Sequence, residues 1–255
     1  MNKKRSRQNK ILLSLTRKDT VTVEELAAEF GLSEATIRRD LEELEQEGRI
    51  VRTRGGARTL SGLPEIAKKF EERSRIRLEE KRAIVDEVEK RIPGGSVLIL
   101  DNGTTSWLLA KRLKEKKNLT VATNSLPIIE ELGNAGDIKL FAAGGLFRPR
   151  NLDFIGIKAV DFFRDLYADI AVITCDSVRP GLGFYKISET SAEIARAMAA
   201  SAKTVYVIAD HSKIDASASF RFLKPEETDA LFIDALTPGE GRLKLQEEIY
   251  TIIYC

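Results

Sequence analysis

The sequence predicts an α/β chain of two unequal domains, a small helical unit with a β-hairpin followed by a larger domain built on a mostly parallel sheet. Three observations carry that expectation. At 255 residues the chain exceeds one average domain and falls short of three. Up to about residue 47 its apolar residues recur at helical spacing, and the glycine pair Gly55-Gly56 follows. Beyond Pro93-Gly94-Gly95, apolar runs of strand length alternate with helical patterns, as in a sheet covered on both faces.

The elements follow in order. From Arg5 to Thr16 the spacing of Ile11, Leu12 and Leu15 predicts a first helix. Thr22 is placed to cap a second, Val23 to Phe30, whose Leu26, Ala27 and Phe30 share a face before Gly31 ends it. Ser33 is placed to cap a third, running through Glu47, with Ile37, Leu41 and Leu44 inward and Gly48 as its stop. Ile50 to Thr53 reads as a short strand and Gly55-Gly56 as the turn of a hairpin wing. Two helices meeting across the short turn Gly31-Leu32, with a wing behind them, make residues 1–60 a winged helix-turn-helix.

Ser61-Gly62-Leu63-Pro64 breaks the periodicity and is read as a linker. The charged stretch that follows carries an apolar stripe of Ile66, Phe70, Ile76, Ile84 and Val88, so residues 61–91 are expected to hold one or two coupling helices. In residues 92–255, strands are expected at Val97 to Leu100, Leu119 to Thr123, Ile138 to Ala142, Ile170 to Thr174, Val205 to Ala209 and Ala230 to Ile233. Helices are expected at Ser106 to Lys116, Leu126 to Leu132 and Ser191 to Ala202.

Charge is balanced overall, with 41 basic and 39 acidic side chains, but not locally. Lys3, Lys4, Arg5, Arg7, Lys10, Arg17 and Lys18 precede the first acid, and Arg49, Arg52, Arg54 and Arg58 cluster after Glu47. Such asymmetry fits a phosphate-binding footprint, or a solvated tail and loop. On the third helix, burying Ile37, Leu41 and Leu44 turns Ala35, Arg38, Arg39 and Glu42 outward with Thr36 on the flank. Arg38 and Arg39 suit guanine in a major groove, Ser33 and Thr36 suit backbone phosphate, and Arg52, Arg54, Gly55 and Gly56 form a basic wing. The bland reading is that both arginines merely solvate a helix face beside Glu42 or Glu43.

In the larger domain, Asp101, Asn102, Gly103, Thr104 and Thr105 form a strand-turn-helix junction in which backbone N–H groups, hydroxyls and a helix N-terminus favour an anion. Thr123, Asn124 and Ser125 end the next strand, and Gly144-Gly145 another. Asp210 and Lys213 close the strand that begins at Val205. All are expected at one carboxyl edge of the sheet, where ligands of such folds bind.

The chain resembles the DeoR family of bacterial repressors. The resemblance runs from Val23-Glu24-Glu25-Leu26-Ala27, Phe30, Ser33, Thr36-Ile37-Arg38-Arg39-Asp40-Leu41, Leu44, Gly48 and Gly55-Gly56-Ala57 through Phe70, Arg73, Glu80-Lys81, the sheet-edge residues, Gly156 and Asp210-His211-Ser212-Lys213. It implies operator DNA and a phosphorylated sugar or related metabolite as partners, a sensor domain similar in fold to ribose-5-phosphate isomerase, and a dimer or tetramer. Arg54 departs from the family's usual His, and Ser191 and Ala195 stand where related sensors commonly carry Glu and Lys.

Several classes are disfavoured. Cys175 and Cys255 are far apart and lack neighbouring His, against a disulfide framework or a metal site, and a reducing cytoplasm is expected. No stretch approaches the apolar length of a membrane span. Catalysis is not expected and no cofactor is implied, since the isomerase's Asp-Gly-Ala-Asp-Glu run is absent after Asp169. His211 reads as a bystander, Cys175 as packing and Trp107 as core. An isomerase-like enzyme and a constitutive DNA-binding regulator with a vestigial sensor remain the alternatives.

Overall fold

The computed structural model describes residues 3–18, 20–46, 50–53, 55–59, 70–245 and 250–255. Gly48, Arg54 and the Ser61–Pro64 linker lie outside these residues. The chain divides into two compact units, Met1–Lys69 and Phe70–Cys255.

In the first unit, helices α1 (Lys3–Lys18), α2 (Val23–Phe30) and α3 (Glu34–Gln46) surround a core of Ile11, Leu15, Leu26, Ile37, Leu41 and Leu44, each at most 1% exposed. Thr22 and Glu25 form a reciprocal capping box at the start of α2, and Gly31 ends it. The sheet has one more strand than the sequence suggests. β1 (Thr20–Thr22) lies beside β3 (Gly56–Thr59), which pairs in turn with β2 (Ile50–Thr53), all antiparallel. Gly56 is therefore not a turn residue but a strand residue opposite Thr53 and Thr22. Glycine is required there because a Cβ would lie 2.0 Å from the Val21 carbonyl oxygen.

The second unit opens with a helical turn at residues 70–75 (α4) and α5 (Leu78–Glu89). Helix α5 buries Ile84, Val85 and Val88 in this unit's core. A seven-stranded sheet follows, in the order β15-β14-β12-β9-β4-β5-β6. Its strands are β4 (Val97–Leu100), β5 (Leu119–Thr123), β6 (Ile138–Ala142), β9 (Ala168–Thr174), β12 (Ala202–Ala209), β14 (Ala230–Ile233) and β15 (Thr251–Tyr254), with every neighbouring pair parallel.

Alternation along each strand sends side chains to two cores. Leu98, Leu100, Ile170 and Val172 meet α5, α6 (Thr104–Leu113) and α7 (Leu126–Leu132). Ile99, Ala171, Ile173 and Val207 meet α8 (Ile157–Arg164) and α9 (Glu189–Ala200) on the other face. Two small antiparallel additions, the hairpin β7 (Leu146–Arg148)/β8 (Asp153–Ile155) and the sheet β10 (Ser177–Arg179)/β11 (Gly183–Lys186)/β13 (Phe220–Leu223), complete the site described below. The last helix is α10 (Gly239–Leu245). Strand order reverses at β4 and β9, since the chain builds outward from β4 through β5 and β6 and then returns to the opposite side. Such a reversal opens a crevice at the carboxyl ends of its two central strands.

Candidate functional site

Helix α3 presents Ala35, Arg38, Arg39 and Glu42 to solvent, with Thr36 half-buried. The Ser33 and Thr36 hydroxyls lie 2.9 Å apart, and the Thr36 amide donates to Ser33 Oγ at 3.4 Å. Arg38 pairs with Glu34 at 3.1 Å across an exposed turn, a contact weak enough to be exchanged for a base or phosphate. Arg52 behaves differently. Its guanidinium turns back to Arg38 O at 3.4 Å and Glu42 Oε1 at 3.5 Å, so it braces the wing against α3. Gly55 accepts from the Val23 amide at 2.9 Å and ties the wing to the start of α2. Beneath this surface, Asp40 is 2% exposed and takes a two-pronged bond from Arg7, with Nη2 donating to Oδ1 at 2.9 Å. The bond to Asp40 holds the Arg7 pKa above the ordinary value.

In the second unit a cavity of about 340 Å³ lies at the carboxyl ends of β12, β9, β4 and β5. The strand order sets its geography. At the β12 end stand Asp210 and Lys213, joined by Arg73 of α4, Lys81 of α5 and Arg77 in the turn between them. Arg77 Nε is 3.6 Å from Asp210 Oδ1, and Lys81 Nζ donates to Arg73 O at 2.7 Å. Burial lowers the Lys81 pKa, Asp210 opposes this, and Lys213, Arg77 and Arg73 reinforce it. This end of the lining thus carries four cations and one carboxylate.

In the middle, Asp101 Oδ2 accepts from the Thr174 amide at 3.1 Å, Thr174 Oγ1 at 2.8 Å and Lys186 Nζ at 2.6 Å. Lys186 and Asp101 are each 7% exposed at the side chain. Burial disfavours charge on Lys186, but Asp101 and Asp176 outweigh it and hold the amine above the ordinary lysine range. Cys175 lines the same wall, its thiol pushed up to about 12 by burial, so it is a packing group rather than a nucleophile.

At the β5 end, Arg148 and Asp153 face each other across the β7/β8 hairpin and pair through two bonds, at 2.9 and 2.5 Å. Arg148 also donates to Ser188 and Ser191. Asn124 donates to Phe154 O at 3.0 Å, while its Oδ1 is buried with no partner.

Of the residues expected at this edge, Asp101, Asn102, Gly103, Thr104, Thr105, Asn124, Asp210 and Lys213 line the cavity. Thr123, Ser125, Gly144 and Gly145 are not among the lining residues; the first two are buried and the two glycines are exposed. Thr123 Oγ1 accepts the Ser125 amide, and Ser125 Oγ donates to Asn102 Oδ1 at 2.7 Å. Asn102 also donates to Asn151 O, so its side chain shapes the wall. A Cβ on Gly103 would lie 2.8 Å from Thr174 Cγ2, so this glycine serves packing between β4 and β9 as well as approach to a ligand. His211 Nδ1 sits 2.9 Å from Asp234 Oδ1, and His211 is not among the lining residues. The sequence reading missed Lys186 and Arg148 altogether, and gave Lys81, Arg73 and Arg77 no part in the site.

The model of the DeoR-like helix-turn-helix domain matches residues 7–62, and that of the DeoR C terminal sensor domain matches residues 76–235. The chain belongs to the DeoR family. It is 31% identical over 247 residues to the HTH-type transcriptional repressor CsqR of Escherichia coli, covering 97% of this chain and 94% of that one. It is 30% identical to the glycerol-3-phosphate regulon repressor of the same organism, covering 92% and 93%, and 32% identical to the transcriptional repressor AccR of Agrobacterium fabrum, covering 92% of each. Among solved structures, ribose 5-phosphate isomerase A of Methanocaldococcus jannaschii is similar with a TM-score of 0.39 at 18% identity, covering 52% and 53% of the two chains. This DeoR-family protein is a DNA-binding transcriptional regulator with a C-terminal sensor domain. Among the described residues, no helix is long and apolar enough to cross a membrane, and no group of His, Cys, Asp and Glu is placed to hold a metal ion.

Proposed function

We propose that this protein is a transcriptional repressor whose grip on operator DNA is set by a phosphorylated sugar in the sheet-edge cavity. The observation that carries the reading is the set of four cations, Arg73, Arg77, Lys81 and Lys213, that line the β12 end of the cavity with Asp210 as its single carboxylate. A phosphate monoester brings a charge of about −1.5 to −2 at neutral pH and three strong acceptor oxygens. It relieves the mutual repulsion that helps depress Lys81, and Gly103, Thr104 and Thr105 supply N–H and O–H donors at the start of α6.

Binding without turnover is the reading that the missing Asp-Gly-Ala-Asp-Glu run after Asp169 supports. The lining carboxylates serve as anchors: Asp101 holds Lys186 and Thr174, Asp153 holds Arg148, Asp210 accepts from Ser212, and Asp176 accepts the Ile187 amide at 2.9 Å. On the DNA side, Ala35, Arg38 and Arg39 of α3 enter the major groove, with Ser33, Thr36 and the exposed wing residue Gly55 toward the backbone. Two such units in a homo-oligomer match a two-fold operator. The effector acts by binding more tightly to the state of the protein that fits the operator poorly.

The test is binding of the full chain to DNA upstream of its own and neighbouring genes, at fixed salt, with and without a panel of sugar phosphates. Specific binding released by one ester is the expected result. Specific binding indifferent to every ester refutes the sensing half, and absence of specific binding refutes the whole.

A further inference from the structure

The charges around the cavity restrict what else the effector carries. Six cationic side chains line it against four carboxylates, an excess of two. The β12 end has four cations to the single carboxylate Asp210, an excess of three, and the rest of the lining has one carboxylate more than it has cations. The two remaining cations are already matched. Lys186 lies 2.6 Å from Asp101, and Arg148 is held by Asp153 through two bonds. Asp176, close enough to Lys186 to act on its charge, adds a further negative charge on that side.

A second, independent observation concerns Asn124 at the β5 end. The residue is 2% exposed, its amide nitrogen is committed to Phe154 O, and Oδ1 is an acceptor with no donor. A buried acceptor of this kind is satisfied by an O–H group and not by another anion. Lys186 Nζ has three protons and places two, on Asp101 and Thr174, leaving one for a ligand oxygen.

Resting on the phosphate-ester reading above, we propose that the effector carries a single dianionic group at the β12 end and an uncharged, hydroxylated chain that runs past Lys186 to Asn124. Bisphosphates and phosphorylated sugar acids are selected against. Strand order supplies the length, because β12, β9, β4 and β5 are consecutive neighbours and three strand spacings span about 14 Å. A second phosphate or a carboxylate would meet Asp101, Asp153 and Asp176 with no unmatched cation to receive it. Like charges brought together in this way are an effective means of rejecting a wrong partner.

The experiment is titration calorimetry of the full chain with pentitol, hexitol and aldose monophosphates, each paired with its bisphosphate and its phosphorylated aldonic acid, and with inorganic phosphate as reference. At least one monophosphate should bind about tenfold or more tightly than both matched counterparts. In Asp176→Asn, which keeps a side-chain acceptor for the Ile187 amide, that ratio should shrink while monophosphate binding persists. A bisphosphate or phosphorylated acid that binds as tightly as its monophosphate overturns the inference and leaves the sensing of phosphate esters standing. Binding of inorganic phosphate but of no monophosphate overturns the hydroxyl-reading tail. Binding of nothing, inorganic phosphate included, refutes the phosphate-ester reading and the inference together.

Discussion

Lys186→Met removes one half of a buried ion pair and leaves its shape nearly intact, which makes the cost calculable. Asp101 keeps two donors from Thr174, but its charge loses the partner at 2.6 Å in a setting where both side chains are 7% exposed. Stranding one member of a buried pair costs about 3–5 kcal/mol. For a unit of the size of residues 70–255, the unfolding entropy is about 0.4 kcal/mol/K, so the melting temperature should fall by about 8–12 °C. Urea unfolding of the two proteins at neutral pH should show that deficit directly. A deficit below about 1 kcal/mol would refute the reasoning, because Lys186 would then be an ordinary solvated amine.

Lys81→Met should weaken monophosphate binding and also flatten its pH dependence. With Lys81 lowered by burial, wild-type affinity should decline on the alkaline side before ordinary lysines titrate, and calorimetry across that range should show this limb missing in the variant. Gly56→Ala places a Cβ 2.0 Å from Val21 O and should cost the first unit ~3 kcal/mol, read as early loss of helical circular dichroism together with lost DNA binding. Arg52→Ala should lower DNA affinity while leaving the slope of log affinity against log salt unchanged, because its guanidinium is spent on α3; a phosphate contact would lower that slope by about one unit.

The central strands were legible because each is a run of apolar residues ending in a polar turn, and β4, β5, β6 and β14 begin and end where the sequence places them. Asp101, Asn124 and Asp210 were found for the same reason, being the first polar side chains after such runs. The short antiparallel pieces were not legible. β1, β7, β8 and β10 have three residues each, too few for alternation to show, and their existence depends on neighbours distant in sequence. The cations mounted on those pieces were missed with them. Lys186 ends a strand in which all four residues are buried, and a lone lysine after Gly183-Phe184-Tyr185 reads in sequence as a solvated end. Only its register with Phe220 on β13, and Asp101 waiting beneath, turn it inward. Arg148 had a local signal, an acid five residues on at Asp153; residues so spaced do not meet on a helix, but an arginine and an acid alone do not announce a hairpin.

The reversal of strand order at β4 and β9 also bears on how such a pocket acquires new ligands. Asp101, Asn124, Thr174, Asp176 and Asp210 sit at or just past the ends of separate strands, and Arg148 and Lys186 ride on accessory hairpins. These positions lie outside the two layers of packing that hold the sheet, although the buried Lys186–Asp101 pair has to change together. Ligand preference in this architecture can therefore be rewritten by a few strand-end and hairpin residues without rebuilding the sheet that carries them.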